Sequence, residues 1–279
     1  MVNVVFYVFV FIFGLTVGSF LNCVIYRLEK GESALKGRSY CPKCRHKLAW
    51  YDLIPLLSFF ILKAKCRYCH KKISIQYPLV EIATGLLFLP IFYYWSLGFC
   101  LATPDLAEPE ILDLMFLFAI ASILIIIFVY DLKHYIIPDK VIFPAIGIAF
   151  IYKLFENWSL GFDWSLSASW RIGIWSFISA AFIAAGFFLA IVLITHGKGM
   201  GVGDIKLAFL MGLLLGWPNI FVAMFFAFLI GAIIGIELIL IKKKTLKSEI
   251  PFGPFLVTGT FIALFWGQQI TNWYLNLFI

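Results

Sequence analysis

The sequence predicts an all-α polytopic membrane protein of about eight transmembrane helices, with a small zinc-stapled cytosolic domain between helices 1 and 2. Three observations predict it. The 279 residues are 63% hydrophobic and only 13% charged, about half the charged share of an ordinary soluble domain. Apolar runs near 20 residues recur along the chain, the length that crosses a bilayer as helix. One segment, 27–77, breaks that pattern with clustered basic residues and four paired cysteines. The net charge of +7 is accounted for by where the charges sit, so nucleic acid is not the expected partner; the lipid bilayer is.

The first apolar run covers residues 4–25. Arg27 and Lys30 follow it, whereas only the α-amino group precedes it. A cleaved signal peptide carries its positive charge in front, so this run is expected to be an uncleaved helix with its N-terminus outside. Residues 27–77 hold twelve of the 22 basic residues and are expected in the cytosol. After Tyr77-Pro78 further helices are predicted at 79–97, 111–130, 140–155, 172–195, 205–217, 219–241 and 253–272. Trp95, Trp170, Trp217 and Trp273 lie near proposed ends, where indole rings anchor at the interface. The spans 140–155 and 205–217 are short, and a half-helix running on into 219–241 across Pro218 is the alternative for the second.

Charge tests this topology. With the N-terminus outside, the inner loops are 27–77, 131–140, 196–206 and 242–252, and they contain every basic residue except Lys153 and Arg171. The outer loop 99–110 carries Asp105, Glu108 and Glu110. This is a positive-inside distribution. The domains expected from it are 1–26 (first helix), 27–77 (metal-binding) and 78–279 (seven membrane helices).

Four cysteines form two CxxC pairs, Cys41/Cys44 and Cys66/Cys69, with 21 residues between them. On a cytosolic face such pairs predict a metal rather than disulfides. Four thiolates complete a tetrahedral Zn²⁺ shell and leave no open position, so the site is structural. The segment has little apolar bulk of its own, and a metal staple supplies what a small core lacks. His46 and His70, beside the pairs, are expected to face solvent. Cys23 and Cys100 are expected to pack among apolar residues.

Two acids stand out at the edges of apolar runs. Gly199-Met200-Gly201-Val202-Gly203-Asp204-Ile205-Lys206 is a glycine-rich turn ending in a carboxylate, and Asp131 closes the run that starts at Ile111. The topology places both on the cytosolic side. A carboxylate at the mouth of an apolar helix is costly to bury unpaired and marks a functional site. Two carboxylates close together cannot both ionise cheaply, so such a pair shares a proton. Its ionised member can activate water while its protonated member polarises a carbonyl. A nucleotide-binding reading of the glycines lacks the preceding strand and the acidic residue about 20 positions later. Asp139, after Ile137-Pro138, is expected as a helix N-cap. Glu237 is expected to pair with a lysine, and Asp113 and Asp163 fall on the outer side.

Several motifs together resemble the bacterial type IV prepilin leader peptidase/N-methyltransferase family. They are Gly18-Ser19-Phe20-Leu21-Asn22-Cys23-Val24-Ile25-Tyr26-Arg27-Leu28, the CxxC pairs, Trp50-Tyr51-Asp52-Leu53-Ile54-Pro55-Leu56-Leu57-Ser58 and Tyr77-Pro78-Leu79-Val80-Glu81. Asp131 with Ile137-Pro138-Asp139, the turn Gly199 to Leu207, and Pro251-Phe252-Gly253-Pro254-Phe255 complete them. The resemblance implies an inner-membrane aspartic endopeptidase of the GxGD type with Asp131 and Asp204 catalytic. It implies substrates that are prepilins or pseudopilins with basic leader peptides, cleaved after a glycine, and methylation of the new N-terminus by S-adenosylmethionine. It associates the cysteine module with methyl transfer. Glu81 and Gly85 are candidates for the methyl-donor site from the resemblance alone, with helix packing and snorkelling as their alternative. Glu29 replaces a proline frequent in the family, and Arg45 and His70 replace glycines that ease a positive φ after each cysteine pair.

Two rival classes make different demands. A peptidase-only relative of the preflagellin type generally lacks the cysteine module present here. A zinc-stapled transporter would place its acids near the bilayer midplane, whereas Asp131 and Asp204 fall at span ends.

Overall fold

The computed structural model describes residues 4–33, 37–97, 111–159, 173–197, 200–241 and 250–277. Trp170, Cys100, the acidic loop 99–110, Asp163, Arg171, Lys198, Gly199 and Lys242 to Lys247 lie outside the described residues. The elements, in chain order, are α1 (Val4–Glu29), a 3₁₀ turn (Trp50–Leu53), α2 (Leu57–Ile61), α3 (Gln76–Ser96), α4 (Ile111–His134), α5 (Asp139–Ser159), α6 (Ile174–Ile194), α7 (Val202–Leu215), α8 (Asn219–Leu240) and α9 (Gly253–Leu275). Among the described residues, extended pairing is limited to two isolated bridges, Tyr40 with Lys47 and Lys65 with Lys72. Among the described residues five helices, α1, α3, α4, α6 and α8, are long and apolar enough to cross a membrane.

The chain forms two compact units, residues 1–99 with 109–126, and residues 100–108 with 127–279. In the first unit α1 packs along α3. The helices cross so closely that a Cβ on Gly14 would lie 2.7 Å from the Gly85 Cα, and one on Gly18 would lie 2.7 Å from the Glu81 Cα. Phe88 of α3 and Phe118 of α4 stack at 4.2 Å between ring centroids. Asn22, buried in α1, donates to the carbonyl of Tyr77 at 3.0 Å, fixing the start of α3 beside α1.

In the second unit α7 is the central element. From Leu207 to Leu215 only Phe209 escapes burial. Close packing needs a small residue at the crossing with α6, and Gly212 supplies it: a Cβ there would lie 2.3 Å from the Ala181 Cα. The chain reverses at Gly216-Trp217-Pro218, where Gly216 has φ 60° and the Trp217–Pro218 peptide is cis. Trp217 closes this end against the start of α6, its backbone N–H donating to Ser176 Oγ at 3.2 Å and its indole N–H to Ser179 Oγ at 2.9 Å. Helices α8 and α9 lie antiparallel, with Asn219 against Gly267 and Gly231 against Phe255.

The half-helix alternative is thereby overturned, because α7 and α8 run in opposite directions. Gly253 at the start of α9 meets Asp131 near the end of α4, and Ile137 meets Gly203 at the start of α7. The end of α4 and the starts of α5, α7 and α9 therefore share one end of the unit. The starts of α6 and α8 lie at the other. Helix α4 also runs one turn further than its apolar run suggests, to His134, and ends where Tyr135 takes φ 57°. Lys153 is almost fully buried towards the opposite end. It donates to Glu156 at 2.8 Å and sits 4.1 Å from the centroid of the Phe177 ring.

If the α6–α7 crossing sets the position of α7, Gly212→Ala must push α6 and α7 apart. Overpacking of this kind costs about 1–3 kcal/mol. The purified variant should lose its helical circular dichroism at a clearly lower temperature than wild type, and an unchanged midpoint would show that the crossing yields freely.

Candidate active site and metal centre

Asp131 occupies the last turn of α4, where the helix has already passed its apolar stretch, and it is only 4% exposed. The backbone N–H of Gly253 donates to its Oδ2 at 3.1 Å. A Cβ on Gly253 would stand 2.6 Å from that same oxygen. Glycine is therefore the residue that lets the start of α9 cradle this carboxylate with main chain.

Asp204 is the third residue of α7 and 7% exposed. Its Oδ2 accepts from the N–H of Gly201, the residue just before the helix, at 3.2 Å. This is the arrangement of a capping-box acid, which satisfies one of the donors a helix N-terminus leaves free. Gly203 brings α7 close to the loop after α4, with the position its Cβ would take 3.1 Å from the Ile137 Cβ. Ile137 is itself buried. Two loops are thus drawn together by apolar packing, and Asp131 and Asp204 come within electrostatic reach of each other. The two acids singled out in the sequence meet in one buried place. Each carries a single backbone amide bond, so among the described residues one oxygen of each takes no hydrogen bond.

Asp139 does something other than the capping expected of it. It is the first residue of α5, and its carboxylate accepts from the ammonium of Lys206, two residues beyond Asp204. Lys206 also lies 5.0 Å from the centroid of the Phe143 ring. This ion pair ties α5 to α7 at the end where the acids lie. The link between Asp139 and Lys206, across 67 positions, had no signal in the sequence. Glu237 is exposed near the end of α8.

In the first unit the four cysteine sulfurs lie within 4.8 Å of one another. Cys41 Sγ and Cys69 Sγ are 3.9 Å apart. Four sulfurs at about 2.3 Å from a central zinc would be spaced by about 3.8 Å, so the set fits a tetrahedral thiolate site. The two pairs are built alike. In each, the first cysteine's N–H bonds to a carbonyl five residues on (Cys41 to His46, Cys66 to Lys71), and its carbonyl accepts from the residue four on (Arg45, His70), all at 2.9 Å. A one-bridge ladder closes each loop. Arg45 and His70 have φ of 58° and 53°, the left-handed turn that the missing glycines would have eased. Burial disfavours the Cys41 thiolate, but the backbone amides of Cys44 and Lys43 more than offset it and bring its pKa down to about 7. For Cys69 the Lys71 amide acts downward, yet burial and the neighbouring thiols push it up to about 11.

The 3₁₀ turn is lashed to the second cysteine loop. Arg67 Nε and Tyr68 Oη donate to the Asp52 carboxylate at 2.8 and 3.1 Å, and the Ala49 N–H adds a bond at 3.2 Å. Burial alone would raise the Asp52 pKa; these donors, Arg67 first, hold it below the ordinary carboxylate value. His46 and His70 are exposed, as expected, and the His46 ring also stacks 3.7 Å from the Tyr68 ring.

Glu81 is buried in α3. The N–H of Leu56 donates to its Oε2 at 2.9 Å, and Ser19 adds a hydroxyl bond. Gly85 lies at the crossing of α1 and α3, where a Cβ would come within 2.8 Å of the Phe11 ring. The structure thus engages Gly85 in helix packing and Glu81 in holding the turn before α2. The Leu56 contact had no sequence signal, because a backbone amide 25 positions away leaves no trace in residue type.

Buried acids at the shared end of a bundle of apolar helices define a class, the helical proteins with carboxylates held among apolar segments. Comparison gives the chain a family. Residues 12–95 match the bacterial peptidase A24 N-terminal domain, and residues 118–236 match the type IV leader peptidase family. The chain is 32% identical to the prepilin leader peptidase/N-methyltransferase of Aeromonas hydrophila, across 97% of this chain and 94% of that protein. It is 33% identical to the protein of that name from Bacillus subtilis (strain 168), across 96% and 97%. The one from Pseudomonas aeruginosa is 32% identical across 94% and 91%. This chain belongs to the type IV leader peptidase family. No solved structure matches it.

The left-handed turns at Arg45 and His70 generate a prediction. A non-glycine residue there costs about 1–2 kcal/mol of local strain, partly offset by the greater unfolded-state freedom of glycine. Arg45→Gly and His70→Gly should each slow zinc loss to a chelator by several-fold, while Cys41→Ser/Cys66→Ser should purify without the roughly one Zn²⁺ per chain expected of wild type. Faster loss from both glycine variants would show that the side chains, not the turns, hold the loops.

Proposed function

We propose that this chain is a membrane aspartic endopeptidase that removes the leader of type IV prepilins or pseudopilins at the cytosolic membrane face and N-methylates the new N-terminal residue. Asp131 and Asp204 are the catalytic pair. The observation that carries this reading is their convergence, buried and within electrostatic reach, from elements 73 positions apart. Family membership and relatives named for both activities support it.

The mechanism follows from the pair. Two neighbouring carboxylates hold one proton between them around neutral pH and titrate as a unit. The ionised member takes a proton from water as the oxygen attacks the scissile carbonyl, and the protonated member donates to the developing oxyanion. The tetrahedral intermediate then collapses as a carboxyl proton passes to the leaving amine. No covalent enzyme intermediate is needed. The Gly253 and Gly201 amides each hold one oxygen of a carboxylate, which fixes the direction in which the other faces.

Eight spans, formed by α1 and α3 to α9, would cross the bacterial inner membrane with the N-terminus outside and the acids facing the cytosol. The shared end of α4, α5, α7 and α9 and the positive-inside charge distribution support that orientation. Residues 27–77 would form the zinc domain, with Cys41, Cys44, Cys66 and Cys69 as ligands, and 78–279 the peptidase domain. The metal would be structural: four thiolates leave no position for a substrate. S-adenosylmethionine, when bound, would supply the methyl group. Glu81 and Gly85 remain its candidate neighbours, and the chain's part is to present the free amine made by cleavage. The substrates would be prepilins or pseudopilins with basic leader peptides.

Asp131→Asn and Asp204→Asn should each lower leader removal at least ~1,000-fold with the protein still folded in the membrane, and the double variant should be no worse, because paired catalytic groups are not additive. Substantial cleavage by either single variant would refute the pair. Glu81→Gln should depress methylation more than cleavage. Given a pre-cleaved peptide with the mature N-terminus, the Asp204→Asn protein should still methylate it, as intact mass would show. Failure there, with wild type active, would mean that the two reactions share residues.

A further inference from the structure

Between the 3₁₀ turn and the second cysteine loop lies a short apolar face that the proposed chemistry does not use. Leu57, Phe60 and Ile61 of α2 are 58%, 68% and 72% exposed, and Trp50 beside them in sequence is 77% exposed. They sit in a segment otherwise rich in charge. Large apolar side chains gathered in such a place mark an interaction surface.

The ends of α2 are not free to turn this face inward. Its entry residue, Leu56, is bonded through its N–H to Glu81, and adopts φ 59° there. Its exit is wound tightly. Lys63 and Ala64 have φ of 50° and 57°, with the Ala64 N–H reaching the Phe59 carbonyl at 2.9 Å. The Ala64 carbonyl then accepts from Ile73 at 2.8 Å, which locks the exit to the second cysteine loop. The face is held outward by backbone bonds at both ends.

The entry bond also sets its depth. Glu81 is the sixth residue of α3, a helix long and apolar enough to span a membrane. That helix has 21 residues, a length of about 31 Å, which matches the hydrocarbon thickness of about 30 Å. Its first turns therefore lie at the membrane boundary, and the Leu56 bond to Glu81 holds α2 beside it. Amphipathic segments seat their apolar faces about 5–10 Å into that boundary. The exposed Lys63 and Lys65 follow α2 directly, placed to meet lipid phosphates.

The geometry points to α2 as an in-plane membrane foot: Leu57, Phe60 and Ile61 insert into the lipid interface, with Lys63 and Lys65 at the phosphate level, and thereby dock the cysteine module flat on the bilayer. The occupant of the face is lipid, not a protein segment. This inference does not depend on the proposed catalytic assignment.

The test places the photoreactive residue benzoylphenylalanine at Phe60 in the full chain, reconstituted in nanodiscs of phosphatidylethanolamine and phosphatidylglycerol. Phe9 of α1, 68% exposed on a spanning helix, serves as a lipid-facing benchmark, and Arg45 in the first cysteine loop as a comparison. After irradiation, mass analysis should find lipid adducts at Phe60 in a yield similar to Phe9 and roughly tenfold above Arg45. The same probe at Leu57 should give lipid adducts that fall several-fold when Phe60→Glu is added, with zinc content unchanged. Lipid adducts at Phe60 no more frequent than at Arg45 would overturn the inference. So would capture of an added prepilin peptide at Phe60 in place of lipid, which would make the face a substrate dock. Retention of the full Leu57 lipid yield with Phe60→Glu would equally overturn it.

Discussion

A helix of fourteen residues is shorter than the hydrocarbon layer of a bilayer is thick, and the second unit is arranged around one. Helix α7 has 14 residues, hence a length of about 21 Å against a hydrocarbon layer of about 30 Å. Its free N–H and C=O groups would be exposed to lipid at one end or both, at a cost of several kcal/mol each. The solution is enclosure. Helices α5, α6, α8 and α9 all contact it, so its ends open onto protein. The far end is closed by Trp217 against Ser176 and Ser179. The near end is closed by the carboxylate of Asp204 accepting from Gly201. The shortness that makes α7 a poor membrane span is what lets a helix N-terminus carry a buried acid to the same level as Asp131.

The pocket for the two acids is made of backbone. Each carboxylate is held by one main-chain N–H, and the residues that donate are glycines. At Gly253 a side chain would occupy the space of the Asp131 oxygen itself. A main-chain donor cannot swing away as a long side chain does, so the orientation of the acid follows from where two helices begin. The same end is braced from outside the pair. Lys206 extends from α7 to Asp139 of α5, and Asp139 follows the loop that leaves Asp131. A partly exposed ion pair adds little stability on its own; its value lies in fixing the separation of the two segments that carry Asp131 and Asp204.

Much of this was legible in the sequence because membrane helices and metal loops are read from periodicity-free signals: apolar length, basic flanks and CxxC spacing. The helices fall close to their predicted ranges, and Asp131 and Asp204 are both buried in the second unit. What escaped was set by tertiary contact. Helix α4 continues past Tyr130 through Asp131, which is buried against Gly253 of α9, and then through three exposed residues. Asp139 fits the pattern of a cap, but its carboxylate pairs with Lys206 of α7. Gly85 resembles a site glycine and is equally what a tight α1–α3 crossing demands. Lys153 fits an outer-flank lysine, yet it lies buried beside Glu156 and Phe177. In each case residue type was compatible with two surroundings, and only packing chose between them.

The cysteine module shows how a segment without a core can still be rigid. Its two loops use the same main-chain pattern twice, and they keep it even where Arg45 and His70 must adopt a left-handed turn. The geometry that gathers the four thiols is therefore kept at about 1–2 kcal/mol of local strain in each loop. From the second loop the order propagates outward: Arg67 and Tyr68 fix Asp52 and hence the 3₁₀ turn, Ala64 fixes the end of α2, and Glu81 fixes its beginning. A buried glutamate on α3 is thus joined to a thiolate cluster by a short series of hydrogen bonds within one unit.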